Sequence, residues 1–287
     1  MSLNDVLMLP SNLYKNVAKE ISDLNYSNLE LRPIKDPSLK KSAKNGAPKY
    51  EISKFYYADF EASTQGYHTA YSVSYSERND SEIHNIWGEN CAYEFLCKLE
   101  NNSLTYFHNL SYDGRFLAKF GIQKCIRKGG KLMSFTINFQ GKTLKFRDSW
   151  AMISNKLSDF PAMFGIEGIQ KEIYPYNYYN RENISRGVGV INEAGASEII
   201  PWSEKDYELF ISNVKNIPGC KIDENHFNME LYCKFYCNQD VNILKQGHMK
   251  FRELCMKELN LDIDIELCKY FLQVAKVCKV QTLQTYL

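Results

Sequence analysis

Four carboxylates and one phenol, carried by three short segments far apart in the chain, constrain this sequence more than any other feature. The segments read Asp59-x-Glu61 in YYADFEAST, Asp113 in FHNLSYDGRFL, and Tyr236-x3-Asp240 in YCNQDVNIL. Apolar residues flank each one, so burying the surroundings draws the acids toward one another. Carboxylates that converge in a cleft repel, and a cation is needed to offset that cost. A fold for this chain must therefore bring three separate elements to one point.

The spacing inside each segment says how. Residues two apart on a strand face one side, so Asp59 and Glu61 can reach one ion while Phe60 points into the core. The aromatic, β-prone run Lys54 to Phe60 predicts that strand. Residues four apart share a helix face, which lets Tyr236 and Asp240 look into one cleft. Apolar residues at Leu231, Phe235, Val241 and Leu244 predict the helix that carries them. Asp113 follows the apolar strand LTYFH and precedes GRFLAKFG, which reads as a helix. Taken singly, each motif is also what a solvated strand edge or helix face looks like; three together in apolar settings are not.

Hard oxygen donors favour Mg²⁺ or Mn²⁺ over zinc. Two such ions about 4 Å apart can activate a water and stabilise the leaving oxygen of an in-line displacement at phosphorus. Asp59 is the expected bridging ligand because the first strand of such a sheet is central; Glu61, Asp113 and Asp240 complete the set. Tyr236, a phenol with an ordinary pKa near 10, is expected to orient the water and not to deprotonate it.

With these motifs in place, the chain resembles the 3′–5′ proofreading exonuclease domain of family B DNA polymerases, and in particular the protein-primed branch of linear plasmids, viruses and self-replicating transposons. The matching positions are Asp59 and Glu61, then Asn109, Tyr112 and Asp113, then Tyr236 and Asp240. The branch's lysine motif fits Lys171-Glu172-Ile173-Tyr174, and its Ser/Thr-Leu-x2-hydrophobic element fits Ser149-Trp150-Ala151-Met152-Ile153 with Trp in place of Leu. The resemblance implies that Lys171 stabilises charge on the attacked phosphate. It also implies that Asn109 and Tyr112 hold the 3′-terminal nucleotides, with Ser149, Trp150 and His108 in the DNA-binding set. Base stacking on a ring such as Tyr112 is worth about 1–3 kcal/mol and tolerates any base, which suits proofreading. Ala62 stands where the branch often has a DNA-binding threonine, and part of that grip is expected to be weaker. No polymerase palm motif is present, so the chain alone is not expected to synthesise DNA. The implied partners are a single-stranded DNA 3′ end and, as candidates, a separate palm domain or a terminal protein. Two other readings stay open: an RNA 3′–5′ exonuclease of the same two-metal class, and a catalytically degenerate remnant that binds DNA or a polymerase.

The order of elements predicts an α/β fold with a mixed central sheet and helices on both faces, and the resemblance makes it the ribonuclease H-like exonuclease fold. Predicted strands are Lys54 to Phe60, Thr69 to Tyr75, Ile83 to Trp87 and Leu104 to His108, with a hairpin of Lys131 to Gln140 and Lys142 to Asp148. Helices are expected at Ala92 to Glu100, Lys156 to Phe164, Glu204 to Lys215 and Asn228 to Lys257, and a long loop or insertion at Tyr174 to Trp202. The domain reading is an extension and linker over 1–50, the exonuclease over 51–257, and a segment leading toward a palm over 258–287. Asp262-x-Asp264 reads as a solvated helix start.

A chain of 287 residues with 44% hydrophobic content can bury one substantial core. A net charge of +1 exerts no global pull on nucleic acid, so binding must come from a local groove. Lys40, Lys41 and Lys44, and the run Lys124 to Lys131 with Arg127 and Lys128, are solvated loops or phosphate contacts. Nine cysteines without a signal peptide or long apolar run point to an intracellular, reducing compartment, with nucleus, cytoplasm and mitochondrion unresolved, and to no membrane partner. Cys220, His226, Cys233 and Cys237 invite a zinc reading, but their spacing matches no common zinc module.

Overall fold

Residues 52–259 and 262–264 are described in the computed structural model, so the expected extension with Lys40, Lys41 and Lys44, and most of the segment from 258 onward, lie outside the described residues. Strands β1 (Phe55–Ser63), β2 (Thr69–Glu77) and β3 (His84–Trp87) form an antiparallel meander. Helix α1 (Cys91–Lys98) then returns the chain to β4 (Ser103–Phe107), which pairs parallel with β1. After α2 (Leu110–Ala118), strands β5 (Ile122–Lys128), β6 (Lys131–Phe139) and β7 (Lys142–Asp148) complete a seven-stranded sheet of order β3-β2-β1-β4-β7-β6-β5. Since β7 runs parallel to β4, the five strands β3-β2-β1-β4-β7 have the mixed pairing expected of a ribonuclease H-like sheet.

A 3₁₀ turn (Leu157–Asp159) leads into α3 (Phe160–Phe164), so the helix expected over Lys156 to Phe164 is split, with Pro161 in its first turn. Next come α4 (Arg181–Arg186), β8 (Val188–Val190), α5 (Ile191–Ala196), α6 (Glu204–Asn216), β9 (His226–Asn228) and the 31-residue α7 (Met229–Leu259). Helix α6 opens with a capping box in which Ser203 and Asp206 satisfy each other's backbone N–H.

Alternation along β1 separates the two faces of the sheet. Tyr56, Ala58, Phe60 and Ala62 enter one core with Phe95 and Leu96 of α1 and Phe116 and Leu117 of α2. Phe60 stacks on Phe107 at 5.8 Å and meets Phe95 edge-on at the same distance, contacts worth about 0.5–1.5 kcal/mol each beyond area burial. On the opposite face, Tyr57, Leu104 and Tyr106 pack against Val241, Leu244 and Phe251 of α7. Gly247 lets α7 pass close to α3: a Cβ there would lie 2.3 Å from the Phe160 ring.

Three expectations are corrected. Tyr174 to Trp202 is not a long loop, because its tyrosines build a third core in which Tyr174, Tyr178 and Tyr179 pack with Phe210, Phe227 and Tyr232. Elements of three to six residues are too short to show a period, which hides them in the sequence. The basic run Lys124 to Lys128 is not a loop but the exposed edge strand β5, where lysine and arginine discourage pairing with another chain. Asp264 is not solvated: it is 5% exposed and held by Arg78 and Tyr106 at 2.7 Å each.

Candidate active site

Parallel pairing of β1 with β4 ends at Tyr57 and Tyr106, so the two strands part before Asp59. Helix α2 sends a carboxylate to β1 there. Asp113, in its first turn, accepts a hydrogen bond from the Phe60 backbone N–H at 3.1 Å, satisfying a donor that the sheet leaves open. A register shift follows directly after Glu61, the kind of bulge that re-aims side chains at a strand end. Asn109 precedes α2 in a left-handed conformation, φ +86°, held by its backbone N–H donating to Asp148 at 3.0 Å. Asparagine tolerates that conformation better than most residues, and the turn leaves its side chain exposed at the cleft rim.

These features bound a cleft of about 230 Å³, lined by Asp59, Glu61, Asp113 and Asp240 together with Lys171, His108, Asn109 and Tyr112. Tyr236 lies just behind, almost fully buried; Lys171 Nζ donates to its hydroxyl at 2.7 Å and also to the Asp240 carboxylate. Ser149 and Trp150 do not line the cleft. Ser149 Oγ is buried within 2.9 Å of both His108 Nδ1 and the Phe107 carbonyl, and the Trp150 ring packs against the His108 ring. With the Asn155 carbonyl 2.9 Å from Nε2, His108 is clamped on both sides, and burial lowers its pKa to about 4.

The electrostatics are lopsided. Burial first, then the neighbouring Asp240, pushes Asp59 up to about 7 against the pull of Lys171. Glu61 and Asp113 are raised well above the carboxylate range by burial and then by Asp59, and Asp240 is raised by burial despite Lys171. Burial and Asp240 also push the Tyr236 phenol far up, so it stays neutral and acts as a hydrogen-bond group. Asp240 Oδ1 is buried with no hydrogen-bond partner. Hard oxygen donors, mutual repulsion and an orphaned buried acceptor together fit a divalent cation.

Two residues at the site were not assigned to it from the sequence. The Tyr176 hydroxyl lies 2.5 Å from that of Tyr236 and lines the cleft; its only sequence signal was membership of a tyrosine-rich stretch. Cys237 brings its sulfur among Asp59 and Glu61, all three ligand atoms lying within 4.8 Å of one another. Burial and the two carboxylates hold its thiol well above the ordinary range. Of the zinc candidates, Cys220 donates to the Asn228 carbonyl and His226 pairs with Asp223, so the four do not gather. Among the described residues no helix is long and apolar enough to cross a membrane.

No curated protein matches the chain. Among solved structures, phi29 DNA polymerase complexed with single-stranded DNA is 16% identical, with a TM-score of 0.45, over 73% of this chain and 32% of that one. The same polymerase with primer-template DNA and incoming nucleotides is 15% identical, with a TM-score of 0.44, over the same shares. The chain thus spans about a third of the length of these polymerases. A family model described as DNA polymerase type B, organellar and viral, matches residues 97–270, more than half of the chain. By that match, the chain belongs to the organellar and viral type B DNA polymerase family.

Proposed function

We propose that the chain carries a two-metal-dependent 3′–5′ exonuclease, the proofreading domain of a protein-primed family B polymerase, acting on single-stranded DNA 3′ ends. One observation carries this reading: Asp59, Glu61, Asp113 and Asp240 line a single cleft with Lys171 as their cation and Asn109 and Tyr112 at its rim. The four carboxylates are the residues to hold two divalent ions, Mg²⁺ or Mn²⁺. When bound, such a pair supplies charge stabilisation and an activated water for displacement at phosphorus.

The chain's own side chains do the rest. The half-buried Tyr112 ring, its hydroxyl 3.2 Å from His68 Nδ1, offers a stacking surface to the terminal base. The exposed Asn109 amide offers hydrogen bonds beside it. Neutral Tyr236, anchored by Lys171 and Tyr176, orients the attacking water by hydrogen bonding. Lys171 keeps a positive charge within reach of both Asp240 and an incoming phosphate, where a low-dielectric setting strengthens it. The catalytic unit is taken as residues 51–257, with residues 1–50 as an extension and linker and residues 258–287 as a segment leading toward a palm domain.

The test is degradation of a 5′-labelled single-stranded DNA oligonucleotide with Mg²⁺ or Mn²⁺, beside a matched RNA. The expected result is a ladder from the 3′ end, stronger on DNA and lost in Asp59→Ala, Glu61→Ala. A stronger ladder on RNA would make it an RNA exonuclease. Folded protein that binds the oligonucleotide without cutting it under either ion would reject an autonomous nuclease.

A further inference from the structure

Cys237 stands three residues before Asp240 on α7, so the thiol and the carboxylate share a helix face. Its sulfur is fully buried, donates to the Asp59 backbone carbonyl at 3.3 Å, and converges with the carboxylates of Asp59 and Glu61 to within 4.8 Å. A second, independent observation lies in the cleft that Asp59 and Glu61 also line. Asp240, 4% exposed, keeps its Oδ1 without any hydrogen-bond donor while lining the cleft. An unpaired buried acceptor is costly, and a cation bound in the cleft offsets that cost.

We propose that Cys237 joins Asp59 and Glu61 as a ligand for thiophilic divalent ions of the Co²⁺, Zn²⁺ and Cd²⁺ class, a proposal that builds on the metal-binding reading of this cleft. Sulfur binds such ions at about 2.3 Å and carboxylate oxygen at about 2.0–2.2 Å, so an inward shift of the three groups brings them to bonding distance and leaves a fourth position for water. The thiol gives its proton to solvent as the sulfur–metal bond forms. Hard Mg²⁺ has little affinity for sulfur and leaves the thiol on the Asp59 carbonyl. The donor set thus depends on the ion: oxygen alone for Mg²⁺, oxygen plus sulfur for a softer ion.

The experiment is a Co²⁺ titration of the full chain, read by thiolate-to-cobalt charge-transfer absorption. The band is expected to saturate, to vanish in Cys237→Ser and in Asp59→Ala, Glu61→Ala, and to persist in Cys125→Ser, which removes an exposed thiol. Cadmium NMR of the unsubstituted protein checks for a sulfur ligand without any variant. Cobalt binding with no band, a band that survives Cys237→Ser, or a cadmium shift typical of oxygen ligands alone overturns the proposal. Mg²⁺-dependent cleavage measured in parallel separates the two readings. A band without cleavage keeps the Cys237 assignment and removes the exonuclease, and cleavage without a band does the reverse.

Discussion

The sheet face beneath α7 buries acid at two places, and they are built in opposite ways. Around Asp264, Arg78 and the Tyr106 hydroxyl each donate at 2.7 Å, and Arg252, whose hydrogen bonds go to Asp262, stands 2.9 Å away as an ion-pair partner. Burial alone would raise the Asp264 carboxyl, but the Arg78 hydrogen bond and the surrounding positive groups more than reverse it, and it lies below its ordinary value. In the cleft, four carboxylates share Lys171, and all four lie above theirs. The same helix thus borders a carboxylate already paired with arginine and a cluster that calls for a cation from outside. Completed charge ties residues 262–264 to the sheet; uncompleted charge is where chemistry is expected.

The comparison breaks most sharply at Asp59 and Glu61. Replacing both with Ala should lower metal-dependent cleavage roughly 10⁴-fold, about 5 kcal/mol of barrier, with folding retained by circular dichroism. Asp264→Asn should do the opposite: leave the cleft's carboxylates in place but cost about 3–5 kcal/mol of stability, because it leaves the largely buried Arg78 without its carboxylate, as thermal or urea unfolding would show.

A smaller effect concerns pH. The cleft carboxylates have folded-state values above their unfolded ones, so their contribution to stability is present below the unfolded value near 4 and lost as pH rises through about 7, the value for Asp59. In EDTA, the unfolding free energy should fall by on the order of 2 kcal/mol between about pH 6 and pH 8, and Mg²⁺ or Mn²⁺ should restore more at the higher pH. Stability that rises over that interval without metal would mean the cluster is already compensated. Smallest is Tyr176→Phe, which removes one hydrogen bond to Tyr236; about 1 kcal/mol, or roughly fivefold in cleavage rate, is expected from single-turnover kinetics.

What the sequence made legible follows the same division. Asp59 and Glu61, and Tyr236 and Asp240, were readable because strand and helix periods place them, and the long helix and central strands announced themselves by pattern. Cys237 and Asp264 were not, because each takes its meaning from partners distant in the chain: the sulfur from Asp59 and Glu61 on β1, the carboxylate from Arg78 and Tyr106. The tyrosine core around Tyr174 was hidden for a related reason. Its rings pack across several very short elements, and no local period records that.

Mn²⁺ binding to the full chain, counted by electron paramagnetic resonance, tests the central claim most directly. The account predicts saturable binding to the unsubstituted protein and to folded Asp264→Asn, and its loss in Asp59→Ala, Glu61→Ala. Binding that survives the double substitution, or none in the unsubstituted protein, would contradict it.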